Sequence, residues 1–174
     1  MSDQLRAYTE RLTHCMLKYQ YIEFALKGCL VRFHATAHFR LAGYLPYKVP
    51  LEAIESAALG QLIKSFKTFS EDGELVRELN KLSGERDHIA HQGFIFTCEE
   101  QNDESLLLER TKELEAARQR AESCLSKVFP ELERADFAVE SAYAELRSRC
   151  QAKGVAPPEA IRLPPIPGRA PDGL

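Results

Sequence analysis

The residues best equipped for chemistry lie together in Glu85-Arg86-Asp87-His88-Ile89-Ala90-His91-Gln92-Gly93-Phe94, which holds two of the chain's five histidines. An imidazole titrates near neutrality and can move a proton in either direction. A guanidinium stays charged and presents a fork of donors matched to phosphate oxygens. Arg86 and His91 therefore pair a phosphate clamp with an acid/base. Five helical residues turn through about 500°, which leaves the two side chains roughly 140° apart around the axis. Within one helix they do not share a face, and two copies of the helix meeting across a two-fold axis would bring them into one cleft. Asp87 stands four residues before His91 and on its face, where a carboxylate can fix the imidazole tautomer. Glu85 and His88 flank these groups and are candidate substrate contacts.

Arg86 and His91 in R-x-x-x-x-H spacing, with Ala90 before the histidine and Glu85 before the arginine, resemble the signature of the HEPN superfamily. The likeness in helix order covers roughly residues 3–150. It implies a helical, dimeric, metal-independent endoribonuclease with a toxin or phage-defence role, with no cofactor, and RNA as its partner. A cognate antitoxin protein is a further implied partner. On that reading Arg86, His91 and Asp87 are catalytic. His91 exchanges protons with the 2′-hydroxyl and the leaving oxygen, Arg86 holds the phosphate, and the product is a 2′,3′-cyclic phosphate. Two positions depart from the family pattern. Asp87 stands where Asn is frequent, and Gly93 stands where some toxins carry a tyrosine that their antitoxin modifies. The alternative is a catalytically inactive HEPN-like dimeric interaction or binding module, with the same residues forming a buried polar network.

Other polar groups invite weaker readings. His34 and His38 lie one turn apart between Arg32 and Arg40, and these four are candidate contacts to an RNA backbone. The histidine pair has the spacing of a zinc site but lacks a third ligand. Glu85 and His88 form one Glu-x-x-His, half of a carboxylate di-metal site, with no second copy in the chain. No metal is expected. Tyr8, Tyr19, Tyr21, Phe24 and Phe33 read as core or dimer contacts. Arg162-Leu163-Pro164-Pro165-Ile166-Pro167 has the form of a polyproline II ligand.

The elements that must position the motif follow from periodicity. Leu5, Tyr8, Leu12, Cys15, Tyr19, Ile22, Leu26, Cys29 and Phe33 recur at threes and fours, which predicts one long helix from residue 3 to about 40, stopping near Gly43. Pro50 suits the first position of a second helix with the stripe Leu51, Ile54, Ala58, Leu62, Ile63, Phe66 and Phe69. Ser70-Glu71-Asp72-Gly73 is a capping turn before a third helix, whose face is Leu75, Leu79, Leu82 and Ile89. Gly84 inside that helix suggests a close approach or a kink, and Gly93 a C-cap. Asn102-Asp103-Glu104 caps a fourth helix, which Pro130 kinks or splits. The sum is an all-α, four- to five-helix up-and-down bundle over residues 1–151, with an extended Pro-rich tail over 152–174 that adds nothing to the core.

The bulk properties agree with one domain. The chain has 174 residues and a net charge of -3, enough length for one core and no charge excess that by itself announces nucleic acid. Residues 1–50 carry seven Lys/Arg against three Asp/Glu, and residues 51–102 carry five against ten. That asymmetry suits either a polyanion meeting the first helix or oppositely charged helices packed together. Five scattered cysteines without a C-x-x-C pair point to a reducing cytoplasm. The sequence shows no secretory leader and no run long enough to span a bilayer.

Overall fold

The computed structural model describes residues 3–93, 95–158, 161, 163 and 164. The described residues form an all-α helical bundle of five α-helices: α1 Asp3–Leu41, α2 Leu51–Ser56, α3 Leu59–Phe66, α4 Gly73–Gln92 and α5 Glu104–Ala152. A 3-10 turn, Glu100–Asn102, precedes α5. The described residues form two compact units. One takes the chain up to Glu23 together with Asp72–Lys127, and the other takes Phe24–Glu71 together with Val128 onward.

In the first unit, the start of α1, α4 and the first part of α5 bury one apolar face each. Tyr8, Leu12, Cys15, Tyr19, Leu75, Leu79, Leu82, Leu107, Leu114 and Ala117 are all buried. Burial of a leucine of this kind stabilises by about 1.5–3 kcal/mol. Asp72 caps α4 by accepting from the backbone N–H groups of Glu74 and Leu75, at 3.0 and 2.9 Å, which satisfies two otherwise unpaired donors. Asp103 does the same for α5 through the N–H of Leu106. Gly93 ends α4 with φ -63, in the right-handed region. Its glycine character answers to space instead. A Cβ there would lie 2.5 Å from the carbonyl oxygen of Ile89 and 2.9 Å from a methyl of Leu12. Gly84, where a close approach or a kink was expected, has nothing within 4 Å of its Cβ position. Phe94 lies outside the described residues. Phe96 packs edge-on against Tyr8, with ring centroids 5.0 Å apart.

In the second unit, the end of α1, α2, α3 and the remainder of α5 enclose Leu26, Cys29, Ala35, Phe39, Leu62, Phe66, Leu132 and Val139. α1 ends beside Gly43, which takes φ +84. Gly28 lets α1 and α5 approach closely, since a Cβ would meet Leu132 at 3.1 Å. The single second helix read from the sequence is two helices, because Ala57 is extended at φ -70, ψ 134. The Ser56 hydroxyl donates to the carbonyl of Glu52 at 2.7 Å, and the Gln61 side chain accepts from the N–H of Ala58 to start α3. α5 runs unbroken through Pro130. A helical proline costs about 3 kcal/mol, offset here by the burial of Val128, Leu132 and Ala135.

The tail departs from its expected idleness. Ile161 and Leu163 pack against the cluster of Phe39, Val139, Ala142 and Leu146. The carbonyl of Pro164 accepts from the Arg32 guanidinium at 3.0 Å. Of the polyproline-like stretch, Arg162 and Pro165–Pro167 lie outside the described residues.

Candidate functional site

α4 carries the motif because its apolar residues are confined to one side. Leu75, Leu79, Leu82 and Ile89 are buried, and Arg86 follows Leu82 by four residues and Leu79 by seven, which places it within that stripe. Its side chain is 37% exposed and donates to Asp87 at 2.9 Å. Asp87 is 59% exposed, and His88 and His91 are exposed as well. Arg86 and Asp87 thus come together, as sequence neighbours. No hydrogen bond joins Asp87 to His91 among the described residues, so the anticipated tautomer lock is not formed. Exposed pairs such as Arg86–Asp87 contribute about 0–1 kcal/mol, so a competing anion can displace this one.

Glu85 serves packing. Its Oε2 accepts from the hydroxyl of buried Tyr19 at 3.0 Å, and its Oε1 accepts from Arg120 of α5, Nε at 3.1 Å and Nη2 closer still. Burial, reinforced by the nearby Cys15 and Glu85, raises the Tyr19 hydroxyl pKa well above the usual phenol range. The phenol therefore remains a donor to the carboxylate.

Between α4 and α5 in this unit lies a groove of about 640 Å³. Tyr8, Glu85, His88, Ile89, Gln92 and Gly93 form one wall, and Arg110, Glu113, Leu114, Ala116, Ala117 and Arg120 form the other. Gly93, Ala116 and Ala117 are its smallest lining residues. The Tyr8 hydroxyl closes one end by donating to the Gly93 carbonyl at 2.7 Å. Arg110 reaches Glu100 at 3.1 Å and lies 4.7 Å from the Phe96 ring centroid. The Glu85–Arg120 pair also borders a second cavity of about 380 Å³, lined by Glu78, Lys81, Leu82, Ser123 and Cys124. Burial pushes the Cys124 thiol up to about 12, which leaves it a poor nucleophile.

Of the predicted site residues, the groove takes Glu85 and His88 and leaves Arg86, Asp87 and His91 outside its lining. Arg110, Glu113 and Arg120 escaped the sequence reading. Their signal was present as polar residues at threes and fours beside Leu114 and Ala117, on the flank of the stripe used to place α5.

The basic end of α1 belongs to the second unit. Arg32 is 3% exposed and donates to Asp136 at 2.6 Å, to the carbonyl of Gly28 at 3.3 Å and to that of Pro164. It faces the interior, so the proposed RNA-backbone contact does not hold for it. His34 is half-buried, bonds the Tyr47 hydroxyl through Nδ1 and stacks on that ring. Burial lowers its pKa. His38 uses its Nδ1 on the carbonyl oxygen of Tyr47 at 2.6 Å. With both Nδ1 atoms on Tyr47, the pair serves to hold the loop after α1. Arg40 is exposed.

Among the described residues, no group of three or more His, Cys, Asp or Glu side chains is placed to hold a metal ion. None of the described helices is long and apolar enough to cross a membrane. The fold and site define the chain at the level of an all-α bundle with a polar interhelical groove. No protein-family model, curated protein or solved structure matches it.

Proposed function

We propose that the protein is a metal-independent endoribonuclease of the HEPN type that works as a homodimer through α4. The supporting observation is the accessibility of the motif. Arg86 and His91 stand on one helix, neither is buried, and among the described residues the partner of Arg86 is an exposed, displaceable carboxylate. A scissile phosphate takes the place of Asp87 on the guanidinium. Neutral His91 removes the proton of the 2′-hydroxyl, and the 2′-oxygen bonds to phosphorus. The P–O5′ bond breaks, and the imidazolium of a second copy's motif protonates the leaving 5′-oxygen. The second copy supplies the group that one helix, with its 140° separation, cannot bring round. Cytoplasmic RNA is the substrate on this reading, and a toxin or defence role with an antitoxin partner is its biological setting.

A non-catalytic binding module is the second reading. It is favoured by the absence of any bond from Asp87 to His91 and by the structural use of Glu85. Mixed RNA incubated with the protein in excess chelator separates the two. The nuclease predicts cyclic-phosphate ends that disappear in both Arg86→Ala and His91→Ala. Equal residual cleavage in wild type and both variants favours the module, and loss of cleavage on chelation alone overturns the metal-free mechanism.

A further inference from the structure

We propose that the groove between α4 and α5 is a base-recognition subsite that seats guanine, with Glu113 reading its Watson–Crick edge. The inference rests on RNA being the substrate and adds the base that the site selects.

The groove's volume of about 640 Å³ lies within the range of roughly 300–1,000 Å³ found for small-molecule sites. Most of its charges are already neutralised. Arg120 pairs with Glu85, and Arg110 pairs with Glu100. The side chains of Glu113, His88 and Gln92 line the same groove and make no hydrogen bond or ion pair to the described residues. A carboxylate is an acceptor-only group with two oxygens. Guanine alone presents two adjacent donors, N1–H and N2–H2, which match those oxygens in a charge-assisted pair. Adenine would turn the N1 lone pair toward the carboxylate, and cytosine the N3 lone pair. Uracil offers one N–H between two carbonyl oxygens. Each of these leaves an acceptor against the anion, the kind of mismatch that a polar site rejects strongly.

The walls also supply planes. His88 offers an imidazole, and Arg110 is a guanidinium already held over Phe96. Unstacked RNA bases pack on histidine rings and guanidinium planes. Ala116 and Ala117 contribute only methyl side chains to the lining. His88 lies between Arg86 and His91 in sequence and within one turn of each, so the subsite adjoins the motif on the same helix.

The test is a titration of the intact protein with 5′-GMP, 5′-AMP and orthophosphate at constant ionic strength. We expect GMP to bind saturably and at least about tenfold more tightly than AMP, as two matched charge-assisted bonds require. Orthophosphate should bind more weakly still. Glu113→Gln should bring GMP to the level of AMP without changing the thermal melt, because the side chain is exposed. Equal affinities for GMP and AMP overturn the proposal, as does a GMP preference that survives Glu113→Gln, or an absence of saturable GMP binding. The mononucleotide has no scissile bond, so its binding is measured without any cleavage step. A failed cleavage assay and a failed subsite are therefore read separately.

Discussion

Replacing Asp136 with alanine should destabilise the protein more than almost any other single polar change. Arg32 is 3% and Asp136 13% exposed, with Nε and Oδ1 2.6 Å apart. The guanidinium also donates to the carbonyls of Gly28 and Pro164, but neutral carbonyls do not balance its charge. Removing one member of a buried pair costs about 3–5 kcal/mol, and the residual exposure of Asp136 places this case near about 3 kcal/mol on the same scale. For a chain of this length each kcal/mol moves Tm by about 2–4 °C, so a fall of roughly 6–12 °C is expected. Arg32→Met should cost a comparable amount, and it withdraws a donor from Pro164. The double variant Arg32→Met/Asp136→Leu replaces the pair with apolar groups and should lose only about 1–2 kcal/mol, the cost of the carbonyl left unpaired. Urea unfolding followed by circular dichroism measures all three. Two outcomes refute the reasoning: single variants that each lose less than about 1 kcal/mol, or a double variant that loses the sum of the singles.

His34 and two glycines give further tests. Burial depresses the folded-state pKa of His34, so its contribution to stability is fully present above the unfolded value of about 6.5 and is lost as pH falls through the lower folded value. The urea midpoint should therefore decline below neutrality, and His34→Gln should make that decline shallower. An unchanged slope in the variant would falsify the assignment. Gly93→Ala should cost about 1–3 kcal/mol, because its Cβ would collide with the Ile89 carbonyl and Leu12. Gly84→Ala, in open space on the same helix, should instead stabilise by up to about 1 kcal/mol. Thermal melts that rank the two glycine variants the other way round would show that packing at the end of α4 is looser than described.

The helices were legible because each buries a stripe that repeats at threes and fours. α1 matches its expected span within a residue or two, and Asp72 and Asp103 cap where the turn chemistry placed them. The division into two compact units was not legible. α1 and α5 continue through both, so neither the hydrophobic period nor the composition breaks where the units change. The split between α2 and α3 was hidden for a related reason. Leu51, Ile54, Ala58 and Leu62 keep helical spacing across Ala57, and only the backbone shows the extended residue. The tail was misread because prolines set its composition, while its contribution rests on Ile161, Leu163 and one carbonyl.

The site was half legible, and the missing half explains the rest. Chemistry-bearing residue types on α4 stand out in a sequence because imidazole and guanidinium are rare on an otherwise apolar face. Which of them meet a neighbour depends on rotation about the helix. Taking Glu85 as the reference, His88, Ile89 and Gln92 lie within about 60° of it, whereas Arg86 and His91 lie about 100° and 120° away on opposite sides. The groove accordingly takes Glu85, His88 and Gln92. Arg86 and His91, the two residues with the strongest chemistry, stay outside the lining of the groove. A site assembled by one chain would use the groove, and a site built on Arg86 and His91 needs a second surface brought to the opposite side of α4. RNA cleavage by this protein should therefore depend on its concentration in the range where it dimerises, while GMP binding in the groove should not. Dilution below the dimerisation midpoint that left cleavage per chain unchanged would remove the need for a second copy, and with it the role assigned to Arg86 and His91.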